Sequence, residues 1–285
     1  MRIAFVGLGV MGFPMAGHLA GAGHDVTVYN RSPDKAQRWV QAHAGDLRST
    51  LGEAADGAEL VALCVGNDDD VRSVVDAVLP AMSPGGLIVD HTTTSAVLAR
   101  DMADLCARSG RWFLDAPVSG GQAGAENGQL TIMVGCEEAA FERATPVIGA
   151  YAKAIRRIGG PGAGQLAKMA NQIAIAGVVQ GLAEAVHFSK RAGVDPMIVF
   201  EAISKGAAQS WQMDNRWATM VEGRFDFGFA VDWMRKDLGL VLDEAHERGA
   251  RLDMTALVDS YYAEVQALGG QRWDTSSLVA RLEGP

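Results

Sequence analysis

The chain has 285 residues, of which 48% are apolar and 21% charged, and its formal net charge is −9. This composition is ordinary for a soluble globular protein of one or two domains, and the negative charge excludes a general attraction to nucleic acid or anionic membranes. Three widely spaced cysteines, Cys64, Cys106 and Cys136, suit neither a disulfide framework nor a metal site, and they predict reduced thiols in a cytoplasmic protein.

The first elements of the chain predict a β-α-β unit. Residues 2–6 (RIAFV) have the composition of a strand, residues 11–22 have helical spacing closed by Gly23, and residues 26–29 (VTVY) indicate a second strand. The chain enters the first strand without a basic segment or a cleavage site, so we expect no signal peptide. Between the first strand and the helix lies GLGVMG, residues 7–12, which has the G-x-G-x-x-G pattern of a dinucleotide site.

This glycine-rich loop is the predicted binding site for the cofactor pyrophosphate. Its residues are Gly7, Leu8, Gly9, Val10, Met11 and Gly12. The first glycine permits a tight turn, the second lets the backbone approach the phosphates, and the third allows the helix to pack closely on the strand. The amides at the start of the helix then face the phosphates.

The end of the second strand predicts which nicotinamide cofactor is used. NAD sites usually place a carboxylate there to bind the adenosine ribose, whereas this chain has Asn30-Arg31-Ser32, with Lys35 further on. An arginine can hold a 2′-phosphate, and a carboxylate would repel it. The turn therefore favours NADP over NAD.

Strand-like runs then alternate with helical patterns up to residue 158. They are residues 60–65, 86–90, 112–117, 130–135 and 154–158. The alternation predicts an α/β Rossmann domain, a doubly wound parallel sheet, over residues 1–162. Ligands of such sheets bind beyond the carboxyl ends of the strands, so Val65, Asn67 and the run Thr92-Thr93-Thr94 are candidates for the nicotinamide end, with Thr93 foremost.

The character of the sequence changes after the glycine-rich segment GGPGAG at residues 159–164. From there on only helical patterns occur, which predicts an all-α domain over residues 163–285 and a ligand-binding cleft between the two domains. A long helix over residues 163–191, apolar on nearly every face, is expected to join them. Its apolar part, residues 173–186, is too short and too interrupted to span a membrane.

The segment DAPVSGGQ, residues 115–122, and the start of the long helix carry the candidate substrate site. Ser119, Gly120 and Gly121 present a hydroxyl and bare amides that suit a carboxylate. Lys168 lies near the start of the helix, where a partly apolar setting can lower a lysine pKa and make it a proton donor to the alkoxide formed by hydride transfer. Asn171 follows at i+3, on the same helical face.

A later pair, Lys236-Asp237, is predicted to begin another apolar helix and to face the same cleft, where it is a candidate to contact the cofactor and, through Lys236, the substrate. Several aromatic residues precede it and suit either a hydrophobic core or the wall of a pocket. They are Trp211, Trp217, Phe227, Phe229 and Trp233, with Asn215 among them.

Four stretches, in this order, resemble the β-hydroxyacid dehydrogenases, the enzymes similar to 3-hydroxyisobutyrate dehydrogenase and to glyoxylate or succinic semialdehyde reductases. The stretches are GLGVMGFPMAGHLAGAGHDVTVYNRS, DAPVSGGQAGAENGQLTIMVG, GAGQLAKMANQ and KDL. The resemblance covers the whole chain. It implies a Rossmann domain plus a helical domain built on a long interdomain helix, usually in a homodimer or homotetramer.

The resemblance also implies roles for the candidate residues. It makes Lys168 the catalytic residue, supported by Asn171, and it assigns residues 119–121 to the substrate carboxylate. It places Thr93 and Lys236 near the nicotinamide half of the cofactor. The expected function is NADP(H)-dependent interconversion of a small β-hydroxyacid and its semialdehyde. Two other hypotheses remain: an NADPH-dependent imine reductase, a class that usually lacks the lysine, and a non-catalytic NADPH-binding scaffold protein.

Overall fold

The computed structural model describes residues 1–283, which form two compact units that divide after Lys168. The sheet of the first unit has nine strands: β1 (Arg2–Val6), β2 (Asp25–Tyr29), β3 (Asp46–Leu47), β4 (Leu60–Leu63), β5 (Leu87–Asp90), β6 (Trp112–Asp115), β7 (Val118–Ser119), β8 (Leu130–Gly135) and β9 (Ala152–Gly159). The helices that start in this unit are α1 (Gly12–Gly21), α2 (Pro33–Ala42), α3 (Leu51–Ala54), α4 (Asp68–Val78), α5 (Ala96–Arg108), α6 (Gly121–Glu126), α7 (Glu138–Ile148) and α8 (Ala163–Arg191). The other helices are α9 (Pro196–Ile203), α10 (Trp211–Glu222), α11 (Val231–Arg248), α12 (Asp253–Ala267) and α13 (Ala280–Glu283).

The sheet confirms the predicted Rossmann architecture. Its order is β3-β2-β1-β4-β5-β6-β8-β7, with β9 paired to β8, and strands β1 to β6 are parallel. The first six strands thus have the order 3-2-1-4-5-6 of a dinucleotide-binding fold, in which the ligand crevice lies where the order reverses, between β1 and β4. The sheet is not wholly parallel, because β8 runs antiparallel to β6 and β7.

Side chains of alternating strand residues pack into two separate cores, one on each face of the sheet. In β1, Ile3 and Phe5 pack into one core with residues of α1 and α7, while Ala4 and Val6 pack into the other with residues of α4 and α5. Burial on both faces explains why the central strands are continuously apolar. The sheet is therefore doubly wound, as the sequence predicted.

The second unit is helical, and the described residues beyond 163 form no strand, only one isolated bridge between Ala230 and Asp274. Its core surrounds Trp217, Tyr262 and Leu238, which are fully buried. Helix α8 has the predicted bounds and continues across the division between the units. Among residues 1–283, each helix is too short or too polar to cross a membrane.

One local prediction was wrong. Lys236-Asp237 does not begin a helix, because α11 starts at Val231 and the pair lies more than a turn inside it. The DAPVSGGQ segment contains regular elements that its sequence did not indicate, since Ser119 pairs with Thr131 as part of β7 and Gly121 begins the short helix α6. Two-residue strands such as β3 and β7 carry too little alternation to be recognised from sequence.

Candidate active site

The glycine-rich loop connects β1 to α1 at the point where the strand order reverses. Gly7 has a φ of 95°, and a Cβ there would overlap the backbone oxygen of Cys64 beyond β4, while a Cβ on Gly12 would overlap the oxygen of Gly7. By contrast, an added Cβ on Gly9 would meet nothing within 4 Å. Two glycines are thus required by the fold itself, and Gly9 leaves a bare backbone facing open space. These features fit a dinucleotide whose phosphates approach the start of α1.

The rest of this loop is divided between the core and solvent. The Leu8 side chain is buried in the core, and its N–H donates to Asn30 Oδ1 at 2.8 Å. Val10 is exposed, whereas Met11 is partly buried and immediately precedes α1. The first N–H groups of a helix lack intrahelical acceptors, so the amides at the start of α1 suit an anion better than the amide of Leu8 does.

The turn after β2 is organised by Asn30. Its Oδ1 accepts the Leu8 N–H, and its Nδ2 donates to the Ser32 oxygen at 3.0 Å, so this amide ties the turn to the glycine-rich loop. The Arg31 side chain is 89% exposed and lies 3.7 Å from Asp70 Oδ1 in α4. Lys35 is partly buried in α2. The turn therefore exposes a guanidinium, for which the Asp70 carboxylate would compete with a bound phosphate.

The ends of β4 and β5 are joined through threonines. Thr92 Oγ1 accepts the Val65 N–H at 3.0 Å, and both Thr92 and Thr94 are buried. Thr93 is partly exposed, so it is the most solvent-accessible member of the threonine run. Asn67 is the N-cap of α4, and its Oδ1 accepts the N–H of Asp70 at 2.9 Å. This gives Asn67 a structural role besides the predicted one.

His91, directly before the threonine run, forms a buried pair with Tyr151. His91 Nδ1 lies 2.7 Å from the Ala116 oxygen, and its Nε2 lies 2.8 Å from the Tyr151 hydroxyl. Because a carbonyl oxygen can only accept, Nδ1 carries the proton and Nε2 accepts the Tyr151 O–H. Burial lowers the pKa of His91 to about 4 and raises that of Tyr151. The pair is neutral at ordinary pH.

The start of α8 is fixed by Asp115 at the end of β6. Asp115 Oδ1 accepts the Gly162 N–H at 2.8 Å, and its Oδ2 accepts the Gln165 N–H at 2.9 Å. Burial raises the pKa of this carboxyl to about 7, against the backbone N–H donors that favour its ionised form. Gln165 in turn bonds the threonine run, donating to the Thr92 oxygen at 2.8 Å and accepting the Thr94 N–H at 3.1 Å.

Lys168, one turn after Gln165, contacts the segment that is predicted to bind the substrate carboxylate. The side chain is only 9% exposed, and its Nζ donates to the Val118 oxygen at 3.0 Å. Val118 precedes Ser119 in β7, and Gly120 and Gly121 both have positive φ. The ammonium thus lies beside the segment that carries the candidate hydroxyl and bare amides.

The other predicted residues belong to the second unit and form a chain of polar contacts there. Asn171 Nδ2 donates to Gln172 Oε1 at 2.9 Å, and Gln172 Nε2 donates to Asp237 Oδ2 at 2.8 Å. Lys236 Nζ lies 3.1 Å from Asp237 Oδ1. Asp237 is buried although it is charged, which is tolerated when such bonds satisfy it.

The aromatic residues near the start of α11 have two different roles. Trp217 is fully buried, and its Nε1 donates to the Pro196 oxygen at 2.9 Å, so it belongs to the core. Trp211 and Phe227 each lie 4.9 Å from the Arg216 guanidinium, which also binds the buried Asp274 at 3.0 Å. Three other residues of the predicted set are exposed: Asn215, Phe229 and Trp233.

Sequence reasoning missed the buried residues that hold these candidates. They are His91, Tyr151, Gln165, Gln172 and, as the anchor of α8, Asp115. A usable signal existed for two of them, because glutamines inside a helix as apolar as α8 must find polar partners. The partners themselves lie 50 to 73 residues away in the chain, as for Gln165, and no local pattern indicates them.

Comparison with known proteins agrees with this geometry. Residues 2–160 match the NAD binding domain of 6-phosphogluconate dehydrogenase, and residues 162–282 match the NAD-binding domain of NADP-dependent 3-hydroxyisobutyrate dehydrogenase. The chain is 59% identical over 99% of its length to an uncharacterized oxidoreductase of Shewanella frigidimarina, covering 98% of that protein. It is 35% identical over 99% of its length to 2-hydroxy-3-oxopropionate reductase of Escherichia coli, covering 97% of that enzyme.

Solved structures lead to the same group of enzymes. A 3-hydroxyisobutyrate dehydrogenase of Mycobacterium tuberculosis, in a structure with L-serine, superimposes with a TM-score of 0.90 at 33% identity, and 99% of each chain is covered. Solved imine reductases share the fold at 17–21% identity, a likeness that bears on the fold alone.

Proposed function

We propose that this chain, which belongs to the β-hydroxyacid dehydrogenase family, uses NADPH to interconvert a short β-hydroxyacid and its semialdehyde. The family matches establish a NAD(P)-dependent oxidoreductase of the 3-hydroxyisobutyrate dehydrogenase type. The choice of NADP, the substrate class and the roles of single residues are our proposal. We also propose that the protein acts in the cytoplasm, as its reduced-thiol composition suggests.

The contact between Lys168 and the segment beside Ser119 is the observation that supports the reaction most. The Lys168 ammonium donates to the Val118 oxygen at 3.0 Å. A carboxylate held by Ser119 and the amides of Gly120 and Gly121 would bring the rest of a short substrate next to that ammonium. Lys168 can then give a proton to the developing alkoxide, or remove it in the oxidative direction.

Each remaining candidate has a part in the proposed site. The bound cofactor supplies or accepts the hydride. Residues 7–12 would hold its pyrophosphate, and Val65, Asn67 and Thr93 would line its nicotinamide end. In the second unit, Asn171 would hydrogen-bond the reacting oxygen or the lysine. Lys236 would contact both cofactor and substrate, and Asp237 would contact the cofactor. No step in this scheme requires a metal ion.

The NADP preference rests on the turn after β2. Asn30 replaces the carboxylate of a typical NAD site, and its Oδ1 is already bound to the Leu8 N–H. Arg31 is exposed and can turn toward a 2′-phosphate, with Ser32 and Lys35 following in the same segment. Asp70 opposes this preference because it attracts the same guanidinium. Arg31 is largely exposed, which makes its ion pair with Asp70 weak, so we expect a doubly charged phosphate to displace the carboxylate.

An exposed apolar surface supports the proposed homodimer or homotetramer. Helix α9 has an apolar sequence, yet none of its residues is buried, and Ile198 is 65% exposed. Phe188 near the end of α8 is 71% exposed. Surfaces of this kind usually mark an interface.

The experiment that tests this function measures oxidation of NADPH, with NADH in parallel, against short semialdehydes, glyoxylate and cyclic imines. We expect a carboxylate-bearing aldehyde to be the best substrate. Lys168→Ala should lower kcat about 10²–10⁴-fold while cofactor binding persists. Lys153→Ala, at an exposed lysine of β9, is the matched control.

Three results would refute the proposal. Near-full turnover by Lys168→Ala would remove the lysine from the chemistry. A higher kcat/KM for cyclic imines than for any semialdehyde would favour an imine reductase. Binding of NADPH without turnover of any carbonyl compound would indicate a scaffold protein.

A further inference from the structure

Gln172 is a buried polar residue of α8 that directly follows Asn171 and precedes the apolar run of residues 173–179. Its side chain is 2% exposed, and both ends of its amide are hydrogen-bonded. Oε1 accepts from Asn171 Nδ2 at 2.9 Å, while Nε2 donates to Asp237 Oδ2 at 2.8 Å and contacts Met234 Sδ at 3.6 Å. The amide therefore connects the proposed functional residue Asn171 to a buried carboxylate on α11.

The direction of these hydrogen bonds is dictated by charge. Asp237 also binds Lys236 at 3.1 Å, and an ionised carboxylate can only accept hydrogen bonds. Gln172 must then turn its NH₂ group toward Asp237, which leaves its oxygen toward Asn171. Asn171 must then donate a hydrogen bond from its own NH₂ group. A flip of either amide would set two donors or two acceptors against each other.

The consequence for Asn171 is a defined orientation of an otherwise rotatable group. One N–H of its amide is held by Gln172, and its oxygen is the end directed away from that bond. Without Gln172 the amide could rotate about its terminal torsion, for which two opposite orientations are nearly equivalent. Neighbouring positions on a helix do not normally face each other, and here the two side chains are joined by this partly buried hydrogen bond.

We propose that Gln172 is a positioning residue, which transmits the orientation set by Asp237 to the amide of Asn171. This inference rests on the proposed function, in which Asn171 acts at the reacting oxygen. Gln172 itself need not touch the substrate. Its loss should lower kcat more than it raises KM. A misdirected Asn171 would stabilise the transition state less, while residues 119–121 would still bind the substrate carboxylate.

The test replaces Gln172 by leucine, which keeps the approximate size and removes both hydrogen bonds. We expect kcat to fall about 10–100-fold with little change in KM for the semialdehyde. Gln180→Leu is the matched control, because Gln180 is a buried glutamine of the same helix whose partner is Glu184 and not a member of this chain of contacts. Equal effects of the two substitutions would overturn the inference.

A second variant separates positioning from packing. In Gln172→Glu, the new carboxyl faces Asp237, with Lys236 bound on the other side. Only its protonated form can donate to Asp237 and still accept from Asn171, and the neighbouring negative charge favours protonation. Relative to the wild-type protein, turnover of this variant should therefore rise as pH falls. A ratio of the two rates that does not vary with pH would contradict the role of Gln172.

A third measurement does not depend on turnover. With ¹⁵N-labelled asparagine and glutamine, the side-chain NH₂ resonances of Asn171 and Gln172 can be assigned by their loss in Asn171→Ala and Gln172→Leu. Asp237→Leu should shift both resonances, because it removes the acceptor that orients the Gln172 amide. A shift of Gln172 alone would overturn the inference. If both shift but the wild-type protein reduces no semialdehyde, the proposed function fails and the positioning stands.

Discussion

The buried pair of His91 and Tyr151 makes a specific prediction about stability and pH. The pKa of His91 is lowered to about 4 by burial, while an unfolded histidine titrates near 6.5. The unfolded chain therefore binds a proton before the native one does, and stability present above pH ~6.5 is lost as pH falls through ~4. At 1.36 kcal/mol per pH unit, this loss amounts to about 3 kcal/mol.

The substitution His91→Asn removes the titration. Near neutral pH it should cost roughly 1–3 kcal/mol, because the Tyr151 hydroxyl loses its acceptor inside the protein. As pH falls toward 4, the wild-type protein loses its histidine contribution and the variant does not. The difference in unfolding free energy should then shrink by about 3 kcal/mol, so that the variant becomes as stable as the wild-type protein or more stable.

Urea unfolding followed by circular dichroism at a series of pH values measures this difference, in which the titration of all other groups cancels. His246→Asn, at an exposed histidine of α11, is the control for the loss of a histidine outside the buried pair. A difference for His91→Asn that does not vary with pH would refute the reasoning. It would mean that the pKa of His91 is the same in the native and the unfolded protein.

Three other predictions concern the cofactor site and the assembly. In fluorescence titrations, Arg31→Ala should weaken NADPH binding about 10–100-fold, as expected for charge-assisted hydrogen bonds. It should leave NADH binding nearly unchanged. Asp70→Asn should tighten NADPH binding by up to about fivefold, because the ion pair that it removes is weak. Equal effects of Arg31→Ala on both cofactors would contradict the NADP assignment. Gly9→Ala should fold with wild-type stability and bind the cofactor more weakly. Gly12→Ala should lower the melting temperature, because its Cβ would overlap the Gly7 oxygen. An unchanged melting temperature of Gly12→Ala would argue against this geometry. Ile198→Glu should shift light-scattering mass toward the monomer, with Glu201→Gln on the same helix as control, and an unchanged mass would place the interface elsewhere.

The regular elements were predictable because their signals are local. The alternation of β1 and β2, the GLGVMG loop and the apolar spacing of α8 each follow from a few adjacent residues, and the structure confirms the corresponding elements. The start of α11 was not predictable from KDL, because the preceding residues belong to the same helix without a capping side chain. Local patterns therefore find an element more reliably than its ends.

The supporting contacts of the candidate site could not be predicted, for a different physical reason. His91 and Tyr151 are 60 residues apart, and Gln172 and Asp237 are 65 apart. Each contact exists because the fold buries a polar group that must then find a partner. A sequence shows that such a group is present but not which distant group satisfies it.

Lys168 and Asn171, three residues apart on one helix, are held by different sets of contacts. Lys168 bonds the Val118 oxygen within the first unit, near the anchor that Asp115 provides for the start of α8. Asn171 is bonded to Gln172 in the second unit. Separate hydrogen bonds therefore hold the two side chains. A change in one set should misplace one of the two groups and leave the other in position, so that the roles we propose for them can be tested separately.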